Sequence, residues 1–192
     1  MGMYSDERDA VVSNEPIMPL EKCRLEITFV ERNDWTSKAE DHKGEKFPAL
    51  KVTYKVIDER AETESKDANV KAVEDVLNLT KFPYTDKTTG ETKYLRRGKL
   101  FDLERALGFE PVFVDESGKA VEPRVSKRNG NKYGPKGSSQ TLNTDFEDAY
   151  FDAGGNPKVD NWIDKEVLAD IDIERNEEFG DRNKVKRIYP VS

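Results

Sequence analysis

The sequence predicts a mostly β protein, a five-stranded antiparallel barrel with one short helix and long loop insertions. Three observations carry this expectation. Several segments alternate apolar and polar residues with period two, as strands with one buried face do. Only one segment, Gly98–Leu107, spaces leucines (Leu100, Leu103, Leu107) at i, i+3 and i+7, the helical period. Hydrophobic residues make up 35% of the 192, charged residues 37%, and the mean hydropathy is −0.86, enough for one small core under a heavily decorated surface.

The elements follow in order. Residues 1–19 read as an acidic arm, with Asp6, Glu7 and Asp9 and no apolar run. In Lys22–Glu31, Leu25, Ile27 and Phe29 share one face and Arg24, Glu26 and Thr28 the other. Asn33–Lys46 is polar and turn-like. In Ala49–Asp58, Leu50, Val52, Tyr54 and Val56 share a face, which places Tyr54 in the core. Arg60–Lys71 is charged and lacks apolar spacing, hence a loop, and Val73–Leu79 is a shorter third strand. Lys81–Gly90 is turn-rich, with a hairpin tip at Thr88–Gly90. The helix follows, its apolar stripe widened by Phe101 and Ala106, and Gly108 stands where a left-handed cap ends a helix. Pro111–Val114 and Ala120–Val121 flank a turn and form a small hairpin. Pro123–Thr144 holds few large apolar residues and several glycines, so it reads as flexible. In Lys165–Glu174, Val167, Ala169, Ile171 and Ile173 point one way, and Asn183–Val191 is the last strand, with Pro190 near its end. Trp162, just before this strand pair, is expected to pack.

Strand, strand, strand, helix, strand, strand is the element order of the five-stranded OB barrel, whose helix lies between strands three and four. The domain then spans 20–192, with insertions at about 81–97 and 109–162 on either side of the helix.

Several chemistries are disfavoured. Cys23 and His42 are each the only residue of their type, so there is no disulfide framework, no multi-cysteine zinc site and little material for a nucleophile–histidine pair. Phosphate-loop and dinucleotide fingerprints are absent, and no cofactor or enzymatic activity is expected. No apolar run approaches the roughly 20 residues of a membrane span, and no apolar signal core is seen, so an intracellular, cytoplasmic protein is expected. Asp145, Glu147, Asp148 and Asp152, or Asp170, Asp172 and Glu174, hold open a metal-dependent nuclease; solvated acidic faces are commoner.

Basic residues cluster in three places. Arg124, Lys127, Arg128, Lys132 and Lys136 fall in Pro123–Gln140, which contains no acid and includes Tyr133. Lys93, Tyr94, Arg96, Arg97 and Lys99 precede the helix, where cations oppose the dipole unless an anion offsets the cost. Lys184 and Lys186 lie with Arg182, Arg187 and Tyr189 on the last strand, where pairing with the acids of Asp170–Glu174 is an equally good reading. Cations that follow a phosphate backbone, with aromatics that stack bases, are what single-stranded nucleic-acid binders use. Trp35, in a polar loop, is the remaining stacking candidate. The net charge of −7 does not oppose this, because the deficit is local: Thr141–Glu178 holds twelve acids and three bases.

The block KEVLADIDIERNEEFGDRNKVKRIYPV, Lys165–Val191, resembles the ending of phage-encoded single-stranded-DNA-binding and replication-associated proteins, down to Arg182-Asn183-Lys184-Val185 and Ile188-Tyr189-Pro190. The helix KLFDLERALGF is similar to their short helix ending in Leu-Gly. The resemblance covers about half the chain. It implies an OB fold, binding of single-stranded DNA in phage replication or recombination, and contacts with proteins of those processes. Such proteins often end in an acidic tail, a feature that Tyr189-Pro190-Val191-Ser192 does not show. The alternative is an acidic interaction protein or DNA mimic that binds a host or phage protein.

Overall fold

The structure, a computed structural model, describes residues 15–63, 72–80, 82–95 and 98–191. In chain order the elements are β1 (Leu20–Arg32), β2 (Trp35–Thr36), β3 (Lys46–Phe47), β4 (Ala49–Val56), β5 (Ala72–Asn78), β6 (Phe82–Thr85), β7 (Thr92–Leu95) and α1 (Gly98–Ala106). There follow β8 (Val112–Val114), β9 (Ala120–Val121), β10 (Arg124–Val125), β11 (Lys132–Tyr133), β12 (Ser139–Thr141), α2 (Thr144–Tyr150), α3 (Val159–Trp162), β13 (Glu166–Glu174) and β14 (Arg182–Tyr189).

The five long strands that the alternation predicts form one antiparallel sheet in the order β14-β13-β1-β4-β5. The 13-residue β1 serves two partners: Leu20–Glu26 pairs with β13 and Leu25–Arg32 with β4. Its inward face buries Cys23, Leu25 and Ile27; opposite β4, β5 and β13 bury Val52, Tyr54, Leu77, Val167 and Ala169. One face assignment fails. A register shift between Ile27 and Phe29 turns Phe29 outward, 46% exposed, and Val30 takes the inward position. A bulge inserts one residue and exchanges the two faces beyond it, which strict alternation cannot anticipate.

The expected barrel is not closed among the described residues. The sheet curls until its outer strands β5 and β14 lie near one another, yet no ladder joins them. Side chains of α1 meet both edges instead. Leu100 and Leu103 are buried in the core, Lys99 pairs with Asp75 of β5, and the Asp102 carboxyl takes the Ile188 backbone N–H of β14.

Within the 1–19 stretch, the described residues include one that is anchored to the sheet. Ile17 is buried; its N–H donates to Asn183 Oδ1 (2.9 Å), and Asn183 Nδ2 donates back to its carbonyl (2.8 Å). Residues 1–14 lie outside the described residues.

The insertion after α1 has its own architecture. β12, β8 and β9 form a three-stranded sheet, and β10 and β11 a hairpin, so the stretch expected to be flexible contributes three short paired strands. Strands of two or three residues are too short to show a period. α2 was hidden by its acids: Asn143 Oδ1 accepts the Asp145 N–H (2.9 Å) as an N-cap, and the helix buries Phe146 and Tyr150. These meet Trp162, fully buried as expected, at ring-centroid distances of 5.9 and 4.8 Å; its indole N–H donates to the Tyr150 carbonyl (2.9 Å). Glu104 of α1 is also buried, and its carboxylate accepts the Asn143 N–H (2.8 Å), tying α2 to α1.

One carboxylate fastens the turn after β4. Asp58, its side chain 6% exposed, accepts the backbone N–H groups of Arg24 and Arg60 (both 3.0 Å) and the Arg60 guanidinium (2.8 Å). The Arg60 side chain first, then the backbone donors, hold its pKa well below the usual carboxylate range. A depressed pKa contributes stability that is complete above the unfolded value of about 3.9 and is lost as pH falls through the folded value. Asp58→Asn is therefore expected to cost on the order of 2 kcal/mol at pH 7. In urea titrations across pH, the gap from wild type should narrow below pH about 4; a constant gap would contradict this role.

Candidate nucleic-acid interface

The β10–β11 hairpin is built by its turn. The Ser126 N–H donates to the Asn131 carbonyl (2.9 Å) and the Gly130 N–H to the Ser126 carbonyl (2.8 Å), with Gly130 at φ +70°, a conformation glycine adopts without penalty. The short ladder sets Arg124 opposite Tyr133 and Val125 opposite Lys132. Arg124, Lys127, Arg128 and Lys136 are exposed and, among the described residues, form no ion pair; Tyr133 is 47% exposed. Lys132 is engaged with Glu110 at 2.5 Å. So Arg124, Lys127, Arg128, Lys132 and Tyr133 of the first sequence cluster fall on one hairpin, with Lys136 just beyond it.

Gly134 seats that hairpin. A Cβ there would lie 2.7 Å from a ring carbon of Phe113 and 2.1 Å from Ser138 Oγ, which itself donates to the Pro135 carbonyl. Gly134→Ala should overpack this junction and cost about 1–3 kcal/mol. Thermal melts read the loss, and an unchanged midpoint would show that Phe113 has room to move.

The other clusters are dispersed. Lys99 and Lys184 line a groove of about 740 Å³ between the two sheet edges, together with six acids: Glu15, Glu31, Glu74, Asp75, Glu174 and Asp181. Most cations there are taken. Lys51 pairs with Glu74 (2.9 Å), Arg182 with Glu174 (2.6 Å) and Lys99 with Asp75, whose carboxyl is raised by burial against the pull of Lys99. Lys186 pairs with Asp172 at 2.5 Å, and the bond holds the Asp172 carboxyl below its ordinary range. Lys184 stands opposite Asp172 in the ladder and forms no ion pair among the described residues. Lys93 and Tyr94 sit on β7, paired with Tyr84 and Pro83 of β6; their side chains, and all of Arg96 and Arg97, lie outside the described residues. Trp35 is half-buried, stacked on Phe47 (5.2 Å, 30°), and its indole N–H donates to Asn78 Oδ1 (3.0 Å).

Two exposed aromatics escaped the sequence reading. Phe29 was hidden by the bulge. Phe179, 82% exposed in the β13–β14 turn, carried a visible signal in the turn Glu177-Glu178-Phe179-Gly180-Asp181. Among the described residues no three His, Cys, Asp or Glu side chains converge as a metal ion requires, and no helix is long and apolar enough to cross a membrane.

No family model, no curated protein and no solved structure matches the chain.

Proposed function

We propose that the protein binds single-stranded DNA with little sequence preference, in phage DNA replication or recombination, through the β10–β11 hairpin. The observation that carries this reading is the set of four exposed cations, Arg124, Lys127, Arg128 and Lys136, which form no ion pair among the described residues and lie on or just beyond the hairpin that carries the exposed Tyr133. Cations of this kind exchange condensed counterions for phosphates, and the ring offers a stacking surface that accepts any base. The sheet order β14-β13-β1-β4-β5, with α1 between β5 and β13, supports an OB-type frame. The groove between the sheet edges is a poorer path for phosphates, because its acids outnumber its cations and most of those are already paired.

Fluorescence anisotropy with a labelled oligonucleotide at two salt concentrations tests the reading. Tight binding at low salt that falls steeply with salt is expected; no binding at low salt would overturn it. A protein-binding role has its own support, the exposed acids Asp145, Glu147 and Asp148 of α2 with Asp152, Asp160 and Asp164 beyond. A stable complex with a basic protein, without DNA binding, would select that reading.

A further inference from the structure

We propose that the protein associates head to tail, the Phe179 turn of one copy seating in a cleft beside α1 of the next. The turn is held in shape for presentation. Asn176 Oδ1 accepts the N–H groups of Glu178 and Phe179 (both 2.9 Å), Arg175 pairs with Asp181, and Gly180 takes φ +80°. The result is a phenyl ring 82% exposed, beside Glu177 and Glu178, which are exposed and form no ion pair among the described residues. An ordered apolar knob with carboxylates at its base suits an apolar recess with cations at its rim. The same carboxylates repel phosphates, which argues against a nucleobase as its occupant.

Such a recess lies at the other end of the same strand pair. A cleft of about 530 Å³ has Leu107, Phe109, Pro190 and Val191 in its apolar lining, with Arg105, paired with Asp102, and Lys132, paired with Glu110. Glu110 and Glu166 also line it, but each is already paired, with Lys132 and Arg24. The tip of the β10–β11 hairpin contributes Gly130 and Asn131, and the same hairpin tip carries Lys127 and Arg128, which are exposed and form no ion pair among the described residues, as the positive charge that would meet the knob's carboxylates. The nine residues of β13 separate knob from cleft by roughly 30 Å. One copy cannot satisfy itself. A knob and a recess on different surfaces make a heterologous contact, which repeats into an open chain of copies. This inference does not depend on DNA binding.

Sedimentation velocity on the full chain without nucleic acid, over a concentration series at low salt, tests it. Wild type should gain mass with concentration beyond a dimer, and Phe179→Ala should need at least tenfold more protein for the same gain. Glu177→Lys/Glu178→Lys and Lys127→Glu/Arg128→Glu should each stay monomeric alone and associate when mixed. All of these positions are exposed, so circular dichroism should show wild-type folding. A monomeric wild type, a Phe179→Ala variant that associates normally, or a mixture that stays monomeric overturns the proposal. So does a monomeric wild type whose oligonucleotide affinity falls with Phe179→Ala, which would assign the ring to base stacking.

Discussion

Alanine at Arg124, Lys127, Arg128 and Lys136 together should lower oligonucleotide affinity by about tenfold to a hundredfold at low salt. It should also flatten the slope of log affinity against log salt by about 3, since each neutralised phosphate contributes roughly 0.7 on single strands. The loss should be the same for every base sequence, because phosphates carry no sequence information. These four side chains hold no acid on the hairpin, so their removal leaves no carboxylate newly exposed. Lys51 is the control: it is committed to Glu74 and flanked by Glu31 in an acid-rich groove, and Lys51→Ala should change the slope by much less than one phosphate's share. Anisotropy titrations at four salt concentrations supply both slopes. An unchanged slope in the quadruple variant would remove the hairpin from the DNA path.

Trp162→Ala should be among the most damaging single substitutions to the fold, at about 3–5 kcal/mol. The indole is fully buried, meets Phe146, Tyr150 and Phe151 edge to face, and satisfies the Tyr150 carbonyl. Truncation removes a large apolar area and leaves a cavity lined by rings. Against a total stability of about 5–15 kcal/mol for a domain, this brings the protein close to its threshold. Trp162→Phe separates the contributions: it keeps most of the packing but leaves the carbonyl without its donor, for about 1–3 kcal/mol. Urea unfolding followed by circular dichroism gives both differences, and a Phe variant as damaged as the Ala variant would mean that the hydrogen bond, not the packing, dominates.

The sheet was readable because β4, β5 and β13 alternate along their length and β1 as far as its bulge, and because Leu100 and Leu103 mark α1 at the helical period. What escaped did so for local reasons. Phe29 changes face at a bulge that leaves no mark on composition. α2 looks like an acidic loop until Phe146 and Tyr150 are seen to be four residues apart, one helical turn, with Asn143 as the cap. Among the candidate residues, Arg124, Lys127, Arg128 and Lys136 were legible because their run holds no acid of its own to pair them; Lys132, in the same run, finds Glu110 instead. Lys99 and Lys186 were not, since their partners Asp75 and Asp172 are distant in sequence or on the facing strand. The sequence showed that charge pairing on the last strand was one of two readings, and the ladder between β13 and β14 now sets Lys184 and Lys186 against Asp172.

The chain's two tryptophans occupy contrasting surroundings, and this makes the unlabelled protein its own reporter. Trp162, sealed among rings, should emit at short wavelength and resist a dissolved quencher such as iodide. Trp35, half-buried on Phe47, should emit further to the red and be quenched. A ligand that touches the loop between β1 and β4 should alter only the quenchable fraction, whereas loss of the interior shifts the protected one. Two emission components thus distinguish contact from collapse in a single cuvette.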